Sequence, residues 1–208
     1  MNLQAILGQL RSERPVFANE ADFQHALAWQ IQLAYPDAKI RFEVKPPETR
    51  VYLDLVVTYQ GQRTAIELKY LKRKLDVEVG GEFFSLSEDS AQDQRRYDFL
   101  KDVQRLEQVV SEGFADVGIA ICLTNDYVYW NPPAQARETI FEAFRLTEGR
   151  KLTGELAWGA GASTGSIGGR TEPIRLLGEY TVRWRPYSNL PAGRNGEFRY
   201  LMFEMERA

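Results

Sequence analysis

The chain has 208 residues, 44% of them hydrophobic and 26% charged, with a formal net charge of −3. This is the balance of a globular protein that can bury one substantial core, with room for an appendage. The negative charge argues against a surface that coats nucleic acid along its whole length, although it leaves room for a local basic patch. No apolar stretch approaches the roughly 20 residues that cross a bilayer. Leu3, Ile6, Leu7 and Leu10 are spaced as one face of a helix and lack the continuous apolar core of a signal peptide, so a folded, cytoplasmic start is expected. The single cysteine, Cys122, has no intramolecular disulfide partner and is expected to be a buried strand residue. The single histidine, His25, falls off the apolar stripe of its helix and is expected to be solvated. These counts disfavour zinc sites and Ser-His or Cys-His hydrolysis. A metal would have oxygen ligands, which favours Mg²⁺ or Mn²⁺.

Asn19 is placed to cap a helix over residues 20–35, and Pro36 follows its end. Phe23, Leu27, Gln30, Ile31 and Ala34 form its inner side, and Glu20 lies along the same stripe. That carboxylate has two readings: favourable placement at the positive end of the helix dipole, or membership of a site. Arg41 to Lys45 alternates as a first strand and Pro46-Pro47 breaks it. Two apolar runs follow, Val51 to Val57 and Ala65 to Tyr70, with Gln60-Gly61 between them as a hairpin turn.

Those two runs carry charges that a buried strand does not need: Asp54 in the first, Glu67 and Lys69 in the second. A Gln60-Gly61 loop pairs Tyr59 with Gln62 and sets Asp54 opposite Glu67. A Gly61-Gln62 loop sets Asp54 opposite Lys69, with all three still on one face, whereas a three-residue loop breaks the arrangement. Directly opposed side chains lie about 5 Å apart at Cβ, where two carboxylates repel unless a cation sits between them.

Lys69, Lys72, Arg73 and Lys74 then form a basic patch, with Arg95 and Arg96 further on. It reads equally as a solvated charge run or as a nucleic-acid contact. Val79 to Ser90 is acidic and without clear period, and is expected to be a mobile loop or lid whose Glu78, Glu82, Glu88 and Asp89 would repel phosphate. A second helix is expected over residues 91–112, buried through Phe99, Val103, Leu106 and Val110; the neighbouring stripe of Asp93, Tyr97, Leu100 and Gln104 either borders a pocket or forms a partly exposed flank. Val117 to Leu123 reads as a strand covered on both faces. Residues 134–147 are expected to be helical, 159–169 to be a flexible connection rather than a phosphate loop, and strands are expected near 174–184 and 198–205.

The order of helix with Glu20, strand, strand with Asp54, strand with Glu67 and Lys69, helix and buried strand resembles the PD-(D/E)xK nuclease superfamily. Its motif reads here as Asp54, twelve residues, then Glu67-Leu68-Lys69. The resemblance covers about residues 19–124. Leu53 stands in place of the motif's proline, and the Gln-x-x-x-Tyr signature of RecB-like members is absent in that form. The resemblance implies an α/β fold with a restriction-endonuclease-like core, a mixed central sheet flanked by helices; it leaves the N-terminal helix and the last sixty or so residues unexplained, and the change of character beyond residue 150 sets the expected division into a core over 1–150 and a β-rich C-terminal extension over 151–208 packed on the same domain. It implies Mg²⁺-dependent phosphodiester hydrolysis, of DNA rather than RNA. Asp54, Glu67 and the backbone carbonyl of Leu68 would hold the ion, Glu20 would complete its environment or hold a second one, and Lys69 would position water or stabilise the transition state. Lys72, Arg73, Lys74, Arg95 and Arg96 would contact nucleic acid.

Two other readings stand beside it. The first is a non-catalytic nucleic-acid or protein-binding module on the same fold, to which the acidic loop and negative charge lean. The second is structural, with Glu67 and Lys69 in an ordinary ion-pair network and Asp54 a hydrogen-bonded strand residue. Exposed sheet edges or the C-terminal strands would serve a homodimer or protein partner.

Overall fold

Asn2 accepts a hydrogen bond from the Ala5 amide and starts helix α1, Leu3–Glu13, whose Leu3, Ile6, Leu7 and Leu10 are all buried. The computed structural model describes residues 1–47, 51–133 and 139–207. Helix α2, Glu20–Ala34, is capped by the Asn19 side chain on the Asp22 amide, a contact worth about 1 kcal/mol. It buries Phe23, Leu27, Gln30 and Ile31, whereas Ala34, at the last turn, is exposed. Both helices pack on one face of a six-stranded mixed sheet.

That sheet begins with β1, Lys39–Val44, β2, Leu53–Tyr59, and β3, Gln62–Leu71, paired antiparallel in sequence. Helix α3, Gln92–Ser111, crosses the opposite face and delivers the chain to β6, Val117–Thr124, which runs parallel to β3 from Thr64↔Val117 to Leu71↔Thr124. A parallel neighbour requires such a crossover, and every residue of β6 is buried, as expected for a strand between two helical layers. Cys122 lies within it, and His25 is exposed, stacked on Phe42 with ring centroids 5.0 Å apart.

The segment expected to be a mobile loop, residues 79–90, is strand over Glu82–Leu86. Strands β4, Leu75–Val79, and β5, Glu82–Leu86, form a hairpin that turns at Gly80-Gly81, both at positive φ. Leu75, Val77, Phe84 and Leu86 bury alternate positions against the α1–α2 core, so a period-two signal was present beneath the acidic composition.

The C-terminal part divides its work. Strands β7, Lys151–Leu156, and β8, Ile174–Thr181, make a second hairpin against α3, whereas β9, Arg185–Asn189, and β10, Glu197–Glu206, join the main sheet to give the order β1-β2-β3-β6-β10-β9. The strand expected over 174–184 ends at Thr181, where the Val182 amide donates to the Arg150 carbonyl, and β9 is a further strand beyond it. The expected helix over 134–147 lies partly outside the described residues. Its described part holds one 3₁₀ turn, Glu142–Phe144, with Phe144 buried against Tyr97 and Trp158. The glycine-rich stretch contains one helical turn, Thr164–Ile167, and Arg170 just beyond it clasps Asp98 of α3 through two hydrogen bonds of 2.6 and 2.7 Å. Among the described residues no helix is long and apolar enough to cross a membrane.

Candidate functional site

The β2–β3 turn falls on Gln60 (φ 50°) and Gly61 (φ 81°), so Tyr59 pairs with Gln62 and Asp54 comes opposite Glu67 by register. The ladder's last pair, however, is Leu55↔Ile66. Beyond it β2 leaves β3, and Asp54 fills the gap with its side chain: Oδ2 accepts from the Leu68 amide at 2.7 Å, while its carbonyl accepts from Gln24 Nε2 at 2.8 Å. Two residues on, Glu20 Oε2 accepts from the Tyr70 amide at 2.8 Å, and two further on Asp89 Oδ2 accepts from the Lys72 amide at 2.7 Å. Three carboxylates therefore line the open edge of β3, each on an alternate amide that a neighbouring strand would otherwise satisfy.

Alternation puts Glu67 and Lys69 on the α3 face of β3, flanked by Ala65 and Leu71. Helix α3 meets them with Asp102 and Arg105. Arg105 Nη1 lies 2.5 Å from Glu67 Oε1 and Nη2 lies 3.0 Å from Asp102 Oδ1. Lys69 Nζ lies 3.0 Å from Asp102 Oδ2, an ion pair whose direction falls short of a hydrogen bond. The four groups form one chain, Lys69–Asp102–Arg105–Glu67.

Its electrostatics are unbalanced. Glu20, Asp54, Glu67 and Asp102 bring four carboxylates to two cations. Glu67, 3% exposed, is pushed up to about 9, first by burial and then by the Asp102 and Asp54 charges, which Arg105 offsets only in part. Burial raises Glu20 and Asp102 as well, against the pull of Lys69. Burial draws the Lys69 ammonium down, but Asp102, Glu20 and Asp54 outweigh it and hold the group charged above its ordinary range.

A cleft of about 450 Å³ opens over this chain, lined by Glu20, Lys69, Lys72, Asp102 and Arg105 among others. Asp54 and Glu67 lie outside its lining. Lys72 reaches it while paired to Asp89 at 3.3 Å, and exposed Arg95 stands at its rim. The remaining expected contacts go elsewhere. Lys74 is exposed away from the cleft lining, and Arg73 turns to Asp126 at 3.1 Å. Arg96 is buried, donating to the Val128 carbonyl at 2.9 Å, so it is no part of an exposed basic surface.

None of the stripe Asp93, Tyr97, Leu100 and Gln104 borders the cleft, and Asp93 alone of them lines a separate concavity beside the first turn of α3. Tyr97 and Gln104 donate to carbonyls of Glu172 and Arg175 in the C-terminal segment that covers them. The cleft is bordered by the opposite flank, Asp98, Lys101, Asp102 and Arg105, whose helical spacing was visible in the sequence as an ordinary solvated stripe.

The donors suit a hard dication in atom type, since the site brings four acids to two cations and the second oxygens of Asp54 and Glu20 accept no hydrogen bond among the described residues. They do not converge as they stand. Among the described residues no group of three or more His, Cys, Asp or Glu side chains is arranged to hold a metal ion. Arg105 bridges Glu67 and Asp102. Comparison with family models, with curated proteins and with solved structures finds no match to this chain.

Proposed function

We propose that the chain is a metal-dependent phosphodiester hydrolase of restriction-endonuclease-like fold, acting on nucleic acid and on DNA in preference to RNA. One observation carries the reading. Where β2 leaves β3, an acid from β2 and an acid from the first turn of α2 take alternate amides of β3, an acid and a lysine share one face of that strand, and Glu20 and Lys69 line an open cleft. A purely structural network needs neither the surplus of acids nor the cleft.

In this reading Asp54 and Glu67, with the Leu68 carbonyl and Glu20, would hold Mg²⁺ or Mn²⁺, which when bound supplies Lewis-acid polarisation of the phosphate and a more acidic water. The backbone amides of Leu68 and Tyr70 fix one oxygen each of Asp54 and Glu20 and leave the other to face a ligand. Asp102 holds Lys69 charged and aimed along the cleft, where the ammonium stabilises negative charge on the phosphate oxygens. Arg105 must release Glu67 before that carboxylate can take a cation.

The second reading, a binding module without catalysis, is favoured by the same closed contacts, because each acid already has a protein partner. Incubation with single-stranded DNA, duplex DNA and RNA in Mg²⁺, Mn²⁺ or EDTA, beside Asp54→Ala, separates the two. Cleavage that needs metal and Asp54 is expected. Cleavage that persists in EDTA or in the variant overturns the hydrolase, and binding without cleavage under every condition establishes the module.

A further inference from the structure

A second concavity of about 850 Å³ lies on the other side of the first turn of α3, where Arg73, Arg96, Arg145 and Arg194 outnumber the one acid of its lining, Asp93, and Tyr127 and Phe141 supply rings. Its arginines are organised in pairs around rings. Arg194 and Arg73 place their guanidinium carbons 3.4 and 5.3 Å from the centre of Tyr127, and Arg145 and Arg96 lie 4.8 and 5.4 Å from that of Phe141. Stacking occupies the face of a guanidinium and leaves its in-plane N–H groups to acceptors.

Two of the four already have acids: Arg73 pairs with Asp126 and Glu88, and Arg145 with Glu142. Arg96 and Arg194 have no ion pair among the described residues. Arg96 is only 4% exposed, and its Nε is buried without a hydrogen-bond partner. A buried guanidinium that no acid pairs keeps a positive charge beneath the groove, which an anion seated there would offset.

The groove is also tied to the cleft. Lys72 lines the cleft and Arg73 the groove; Arg95 lines the cleft and Arg96 the groove. Two consecutive cations at the end of β3, and two at the start of α3, thus point to opposite sides of one ridge.

We propose that this groove is a second anion site that seats the phosphate of a nucleotide unit, with Arg194 as its phosphate donor, the buried Arg96 adding positive charge from beneath, and the Tyr127 and Phe141 rings as its apolar walls. Its volume falls in the range of small-ligand pockets and admits a nucleotide. The choice of a nucleotide over another phosphate rests on the hydrolase reading, and the ligand is either a stretch of strand that has crossed the ridge from the cleft or a free nucleotide.

The test is binding in EDTA, where hydrolysis is absent, using labelled single-stranded DNA followed by anisotropy and a nucleoside monophosphate followed by calorimetry. Arg194→Gln changes an exposed side chain on the Gly193–Gly196 turn, and Arg175→Gln, exposed on β8 and remote from the groove lining, is the control. Arg194→Gln is expected to weaken strand binding about 3- to 10-fold and to reduce the salt dependence by about one phosphate, with Arg175→Gln unchanged. Monophosphate binding lost in Arg194→Gln identifies a free nucleotide as sufficient; strand binding alone identifies the strand. Equal affinities and salt slopes in the two variants, or no binding of either ligand by wild type, overturn the site. Arg194-dependent binding by a protein that cleaves nothing in any metal keeps the site and removes the hydrolase, whereas cleavage with no effect of Arg194→Gln on binding does the reverse.

Discussion

Glu67 and Arg105 are the residues on which the site turns, because each is held by a partner that a bound cation would displace. Removing Arg105 leaves a buried carboxylate facing Asp102 and Asp54 without its offset. Breaking a buried pair from one side costs about 3 to 5 kcal/mol, so Arg105→Ala is expected to melt well below wild type in EDTA. If Arg105 stands in for a missing dication, Mn²⁺ should then raise the melting temperature of Arg105→Ala by more than that of wild type; equal shifts would count against the substitution of one charge for the other. Glu67 also predicts a pH dependence. Its folded pKa, about 9, lies above the ordinary 4.5, so the folded state binds the proton more tightly than the unfolded one. The resulting stability is complete below about 4.5 and is lost as pH rises through about 9. In EDTA the melting temperature should fall across that interval, and Glu67→Gln, which does not titrate, should flatten the fall. The sequence made Glu67 and Lys69 legible because strand alternation and a two-residue turn fix their face. Asp102 and Arg105 were not legible as site residues, since nothing local distinguishes a helix flank that meets a sheet from one that meets water.

At the scale of elements, the two small hairpins show how pinning contacts decide position. Glu107 of α3 is buried and accepts hydrogen bonds from the Leu177 and Gly178 amides and, at 2.7 Å, from the Tyr180 hydroxyl. This one carboxylate anchors the β7–β8 hairpin over the helix that carries Asp102 and Arg105. Glu107→Ala would strand those donors in a buried interface, at a cost of about 1 to 3 kcal/mol each for the groups that water cannot reach. Thermal melts should show the loss, and hydrogen exchange should show it concentrated in residues 174–181; uniform loss of protection would mean that the hairpin and core unfold as one. Neither hairpin was read correctly from sequence, for different reasons. In β4–β5 the alternation was present but acidic residues dominated the composition, whereas β7 buries only Leu152 and Leu156, too sparse a pattern to announce a strand. Helices α2 and α3 and strands β2, β3 and β6 were readable because each buries a continuous apolar set.

Across the whole molecule, the sheet unites segments far apart in sequence. Strand β10 pairs with the whole of β6, from Arg199↔Thr124 to Glu206↔Val117, and Leu201 and Phe203 enter the same core as Phe99 and Val103. Ser188 and Tyr187 of β9 reach back to the carbonyls of Pro15 and Arg14 just after α1. Sequence pattern could separate residues 1–150 from 151–208 by composition, but it contains no signal for a partner more than seventy residues away, so the insertion of β10 beside β6 was beyond its reach. A fragment ending at residue 150 would expose one edge of β6 and the apolar surface that β10 covers, a combination that favours aggregation over a stable core. It is therefore expected to lack cooperative thermal unfolding when expressed alone, and to recover it when residues 151–208 are supplied as a second chain. A fragment that melts cooperatively by itself would instead show that the α1–β6 unit carries its own stability, with the later strands added to a finished fold.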